Sequence, residues 1–211
     1  MIGFYDYTVI ATYLATVLGT LGIFRAISGD LLTAVICLLV AGLLDTMDGK
    51  IARTKKNRTE SEKRFGIQID SLNDVVCFGA LPATTAYCAY AKTVSPAVPV
   101  WYIATLTFFV LCGLIRLAYF NVLEEERQEN ETGGRKYYLG LPITASTLIF
   151  PFLYVLTAAF GHLPIFMGIG LLITGLLYVT PLHVRKPTMA AIIILALVGA
   201  AELVGLCLLR I

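Results

Sequence analysis

Asp45 and Asp48 are three residues apart, and Asp70 and Asp74 are four apart. On a helix those spacings put each pair on one face, and Gly66, four residues before Asp70, joins the second stripe. All four acids fall within two consecutive helices that the sequence predicts to span the membrane. Ionisable groups inside membrane spans are costly and mark a functional site by default. Four negative charges in a poorly hydrated site need compensation, and two divalent cations would supply it. Carboxylate oxygens suit hard ions such as Mg²⁺ or Mn²⁺, and no histidine lies nearby in the sequence to suggest zinc. Two metal ions bridged by carboxylates form a clamp for in-line phosphoryl displacement. The alternatives are helix caps or solvated helix ends, and an acidic path for protons or cations. No polar path continues beyond the cluster, which favours chemistry over transport.

The elements that position these acids follow from composition. Of 211 residues, 58% are apolar and only 14% charged, with a mean hydropathy of +0.81. An ordinary soluble domain carries roughly 25% charged residues. The figures exclude a disordered chain, a nucleic-acid-binding tail protein and almost any water-soluble fold. They indicate an all-α, polytopic membrane helix bundle of six to eight spans, forming a single domain over 1–211. Seven spans are predicted, at about 7–28, 30–54, 65–91, 98–122, 138–160, 163–181 and 188–209. The polar stretches 55–64 and 123–136 read as loops, and 183–187 as a short turn. The N-terminus lacks the basic start and small-residue cleavage site of a signal peptide, so the first apolar run reads as a permanent span.

With 55–64 placed in the cytoplasm, 13 of the 16 basic residues fall on that side. This orientation puts the N-terminus inside, as in a prokaryotic cell membrane, with the aspartates near the cytoplasmic end. The five cysteines form no CxxC pair and read as small buried hydrophobes.

The aspartates sit in a longer pattern: Asp45-Thr-Met-Asp48-Gly49-Lys-Ile-Ala52-Arg53, twelve residues, then Gly66-Ile-Gln-Ile-Asp70-Ser-Leu-Asn-Asp74. It resembles the DxxDGxxAR…GxxxDxxxD signature of the CDP-alcohol phosphatidyltransferases. The gap of twelve exceeds the family's usual eight or nine, and the extra residues fall where insertion is cheap. The stretch from Phe65 to Ala83 is similar to the DSLADxxSFGxxPA segment of integral-membrane phosphatidylserine synthases, with Cys77 in place of Ser. Arg116 to Asn121 resembles their RLARFN, with Tyr119 in place of Arg, and Gly140-Leu141-Pro142 resembles their GLP.

The resemblance implies metal-dependent transfer of a phosphatidyl group from CDP-diacylglycerol to the hydroxyl of L-serine, with release of CMP. Sister activities would use glycerol 3-phosphate, inositol phosphate or an archaeal ether-lipid donor. A cation carrier is the reading from another class. By resemblance, Asp45, Asp48 and Asp70 hold two metal ions, with Asp74 as further ligand or general base. Gly49, Ala52, Arg53 and Gly66 would meet the CDP-lipid. The glycines also suit close helix packing, and Arg53 also suits a purely topological role. Arg116, supported by Asn121, is the candidate for the serine carboxylate, structural pairing being its alternative. Lys136, Arg185 and Lys186 are candidate phosphate contacts. The family resemblance also implies a homodimer among membrane lipids. Gly168, Gly170 and Gly175 are small residues for packing either a partner or a neighbouring helix.

Overall fold

The computed structural model describes residues 3–130, 137–160, 164–185 and 189–209. Its helices are α1 (Ile10–Ile27), α2 (Leu31–Ala52), α3 (Glu60–Asp74), α4 (Leu81–Thr93), α5 (Val100–Asn130), α6 (Ser146–Phe160), α7 (Pro164–Val179) and α8 (Met189–Leu209). A π-helical segment, Val75–Ala80, joins α3 to α4 without a break, so seven helical rods are present among the described residues. Two three-residue strands, β1 (Tyr137–Leu139) and β2 (His183–Arg185), pair antiparallel with Tyr137 opposite Arg185. The all-α bundle is as the composition predicts. Among the described residues, three helical segments are long and apolar enough to cross a membrane, namely Ile10–Ile27, Leu31–Ala52 and Val100–Glu126.

The helices are packed for lipid. On α1 the large residues Ile10, Leu14, Val17, Leu21 and Phe24 are exposed at helical spacing. The opposite face, Ala11, Thr12, Ala15, Gly19, Gly22 and Ala26, is buried. Where lipid tails are as apolar as leucine, burying large side chains gains little, and small residues let backbones approach. That face lies on α2, α4 and the π segment. The glycines of α7 do the same work within the chain. Gly168 meets Tyr102 and Gly175 meets Phe109, both on α5, while Gly170 meets Leu153 of α6.

Local chemistry explains four departures from the predicted elements. The loop expected over 55–64 ends at Thr59, because Thr59 and Glu62 form a capping box that starts α3 at Glu60. The loop expected over 123–136 is helical as far as Asn130, since Leu123-Glu-Glu-Glu-Arg-Gln is polar but helix-favouring. The helix expected from 138 begins only at Ser146. Gly140 turns at φ +78°, and its N–H donates to the Leu182 carbonyl at 2.8 Å. The predicted turn at 183–187 supplies β2, which pairs with the strand before that glycine.

The π segment has a visible cause. Pro82 has no N–H for the Phe78 carbonyl four residues earlier. Ser146 Oγ takes up that carbonyl at 3.1 Å. A widened turn therefore begins directly after Asp74. Of the cysteines, Cys37, Cys77 and Cys112 are buried as predicted, whereas Cys88 is half-buried and Cys207 is exposed.

Outside the spans, the N-terminal segment is clasped to the α2–α3 connection. Phe4 packs edge-on against Phe65 at 5.3 Å between centroids. Lys55 Nζ lies 2.6 Å from Asp6 and 2.7 Å from Glu62. The Lys55 ammonium, with help from Thr8, holds the Asp6 carboxyl down at about 2, from an ordinary 3.8. A depressed acid stabilises the fold above its ordinary value, and that contribution is lost as pH falls through its folded value. The Thr8 N–H donates to Asp6 Oδ1 at 2.8 Å and reports the clasp. Corrected for intrinsic rate, hydrogen-exchange protection of the Thr8 amide should hold at pH 5 and fall as pH drops from about 4 towards about 2. In Asp6→Asn the protection should be weak throughout and show no such step.

Candidate metal centre

The end of α2 and the end of α3 bring the two aspartate pairs together. Asp45 lies against Asp74, and Asp48 against Asp70, each pair within hydrogen-bonding reach. Asp45, Asp70 and Asp74 each offer a carboxylate oxygen, and these oxygens lie within 4.8 Å of one another. Asp74 is 7% exposed and Asp48 9%; Asp45 and Asp70 are half-buried. One oxygen of Asp70 and one of Asp74 are buried with no hydrogen-bond partner. Like charges at this distance in a dry site repel strongly. Convergent hard oxygens with unfilled lone pairs are the donor set that a Mg²⁺ or Mn²⁺ ion needs, so the residues fit such a cation.

Arg116 is on the same side of the bundle. Its charge acts on both Asp45 and Asp74, and its guanidinium lies over the Phe120 ring at 5.2 Å. Asn121, one residue further on α5, bonds Ser71: its Nδ2 donates to Ser71 Oγ at 2.9 Å. That pair ties α5 to the aspartate face of α3.

Both signature glycines carry an arginine. Arg53 Nε donates to the Gly49 carbonyl at 2.8 Å, and both residues are exposed at the helix end. Ala52 beside them is half-buried. Gly66 is covered by Arg58, whose Nη2 would come within 2.7 Å of a Cβ at that position. Arg58 Nη2 donates to the Glu62 carbonyl at 3.1 Å, while its Nε is buried without a hydrogen-bond partner. Arg185 lies in β2, and its side chain, like Lys136 and Lys186, falls outside the described residues.

Three further residues belong to this site and were not read from the sequence. Thr12 of α1 donates to Asp48 Oδ2 at 3.2 Å. Asn73, 2% exposed, receives Thr16 Oγ1 at 2.9 Å and Cys77 Sγ at 3.2 Å on its Oδ1. Arg58 is the third. A hydroxyl in an apolar span and one cation among the five of 55–64 give no local signal; only packing selects them.

Fold and centre together define an integral membrane helix bundle with an acidic, metal-type site on two adjoining helices. The family model for CDP-alcohol phosphatidyltransferases matches residues 8–201, and the chain belongs to that family. An archaetidylserine synthase of Methanothermobacter thermautotrophicus is 40% identical over 139 residues, covering 65% of this chain and 52% of that protein. A CDP-diacylglycerol–serine O-phosphatidyltransferase of Saccharomyces cerevisiae is 38% identical over 107 residues, covering 50% of this chain and 35% of that protein. One from Helicobacter pylori is 32% identical over 132 residues, covering 63% and 50%. The chain thus spans about half the length of these relatives, or less.

Asp45→Asn and Asp70→Asn keep side-chain volume and remove the charge. Each should lower turnover beyond the roughly 100-fold that loss of a mere supporting group costs. Normal activity in either variant would refute the carboxylate centre.

Proposed function

We propose that this chain transfers a phosphatidyl group from CDP-diacylglycerol to the hydroxyl of L-serine, giving phosphatidylserine and CMP. The observation that carries the reading is the convergence of Asp45, Asp70 and Asp74 oxygens within 4.8 Å on two helices of a member of this family. Serine as acceptor is supported by the relatives, an archaetidylserine synthase and CDP-diacylglycerol–serine O-phosphatidyltransferases. Arg116, whose charge reaches the centre, fits a serine carboxylate, with Asn121 holding the adjoining helix in place.

Asp45, Asp48, Asp70 and Asp74 would hold two divalent cations, Mg²⁺ or Mn²⁺. Bound there, such ions supply positive charge to the diphosphate and to the leaving CMP. Asp74, the more buried member of its stripe, accepts the proton of the serine hydroxyl. The serine oxygen bonds to the lipid-bearing phosphorus, the bond from that phosphorus to the CMP oxygen breaks, and its electron pair leaves with CMP. Arg53 and Arg58, lying on the two glycines, fork onto the diphosphate. Lys136, Arg185 and Lys186 are further candidates for phosphate. On the seven-span reading 13 of the 16 cations fall on one side with the N-terminus, and the positive-inside rule makes that side the cytoplasm.

An ether-lipid donor is a second reading, favoured by the archaetidylserine synthase relative. Purified protein should release CMP with serine, from CDP-diacylglycerol or CDP-archaeol, only when Mg²⁺ or Mn²⁺ is present. The faster donor decides between the two lipids. Release only with glycerol 3-phosphate or inositol phosphate would overturn the serine assignment. Ion flux in vesicles with no CMP release would point to a carrier instead. Arg58→Gln should weaken CDP binding about tenfold, the worth of one charge-assisted hydrogen bond, and leave cytidine binding unchanged.

A further inference from the structure

Helix α1 contributes none of the signature residues, yet it delivers a hydroxyl to the centre. Thr12 is 4% exposed, and its Oγ1 donates to Asp48 Oδ2 at 3.2 Å. Asp48 is itself 9% exposed, so solvent has little access to replace that donor. A carboxylate turns freely about its Cβ–Cγ bond unless something holds one oxygen. A neutral donor on Oδ2 fixes the plane and leaves the negative charge in place. A lysine or arginine there would fix it too, but would compete with a cation for the charge.

The stretch of α1 that carries this hydroxyl is fixed by its neighbours. Thr16 Oγ1, one turn along α1, lies 2.9 Å from the Thr12 carbonyl and 2.9 Å from Asn73 Oδ1. Cys77 Sγ reaches the Ala15 carbonyl at 3.2 Å. Gly19 allows the close approach, since a Cβ there would sit 3.3 Å from Cys77 Cα. Helix α1 is thus pinned to the π segment next to Asp74, and through Thr12 to Asp48.

We propose that Thr12 is a positioning residue for cation binding: its hydroxyl orients the Asp48 carboxylate towards the metal. This rests on the metal-dependent reading of the site. Groups that orient metal-ligating side chains are typically worth 10–100-fold in affinity.

The test is a Mn²⁺ titration of metal-stripped protein in detergent, with free Mn²⁺ read by electron paramagnetic resonance. Thr12→Val should bind Mn²⁺ about tenfold more weakly, and Thr12→Ser, which keeps the hydroxyl, close to wild type. Thr20→Val is the control, because Thr20 Oγ1 donates only to the Thr16 carbonyl, at 2.9 Å. It should bind as wild type does. If Thr12→Val does not fold, Thr12→Ala against Thr12→Ser makes the same comparison with small side chains. Equal affinity in wild type and the hydroxyl-free variant overturns the proposal, and so does an equal loss in the serine variant. Wild-type protein that binds no Mn²⁺ overturns the metal reading as well, a result distinct from binding that ignores Thr12.

Discussion

Carboxylates packed against one another in a low-dielectric environment repel, and the surrounding structure is organised around that repulsion. Asp45 against Asp74 and Asp48 against Asp70 would drive α2 and α3 apart if nothing opposed it. Three things oppose it. Arg116 places a positive charge within reach of Asp45 and Asp74. Thr12 donates to Asp48 without discharging it. The arrangement of unfilled oxygens leaves a place for cations. The compensation is thus partial, and carboxylate oxygens of Asp70 and Asp74 stay buried without a hydrogen-bond partner.

Holding such a centre requires backbones that approach closely and do not slide. The small face of α1 meets that need against α2, α4 and the π segment. Interhelical polar contacts then fix register where apolar packing is indifferent to it: Thr12 to Asp48, Thr16 to Asn73, Ser71 to Asn121 and Ser146 to Phe78. The buried phenols do similar work further from the site. Tyr178 donates to the Ile143 carbonyl at 2.9 Å, and Tyr102 to the Pro164 carbonyl at 2.5 Å. Each joins segments far apart in the sequence.

The rim of the site is basic and conformationally tied. The clasp of Asp6, Lys55 and Glu62 covers the α2–α3 connection, and the same Glu62 closes the capping box that starts α3. The connection between Arg53 and Gly66 therefore holds the first turn of α3 and Arg58 rather than slack. Arg58 lies across Gly66 because no side chain stands there.

The sequence by itself determined the membrane class, the number of helical rods and the four aspartates. These depend on hydropathy and on spacings within single helices, which are local quantities. The signature's glycines, Gly49 and Gly66, each lie under an arginine side chain, a contact that the motif does not spell out. Boundaries that rest on short-range chemistry were legible in principle: the Thr59–Glu62 capping box, the helix-favouring Leu123-Glu-Glu-Glu run, and Pro82 as the cause of the π turn. The tertiary structure alone decided which of α1's several threonines touches an aspartate, which loop arginine covers Gly66, and whether α7's glycines face a neighbour within the chain. Those outcomes depend on the rotation of one helix against another. That rotation is set by the sum of many weak contacts across the bundle, and no single stretch of sequence encodes it.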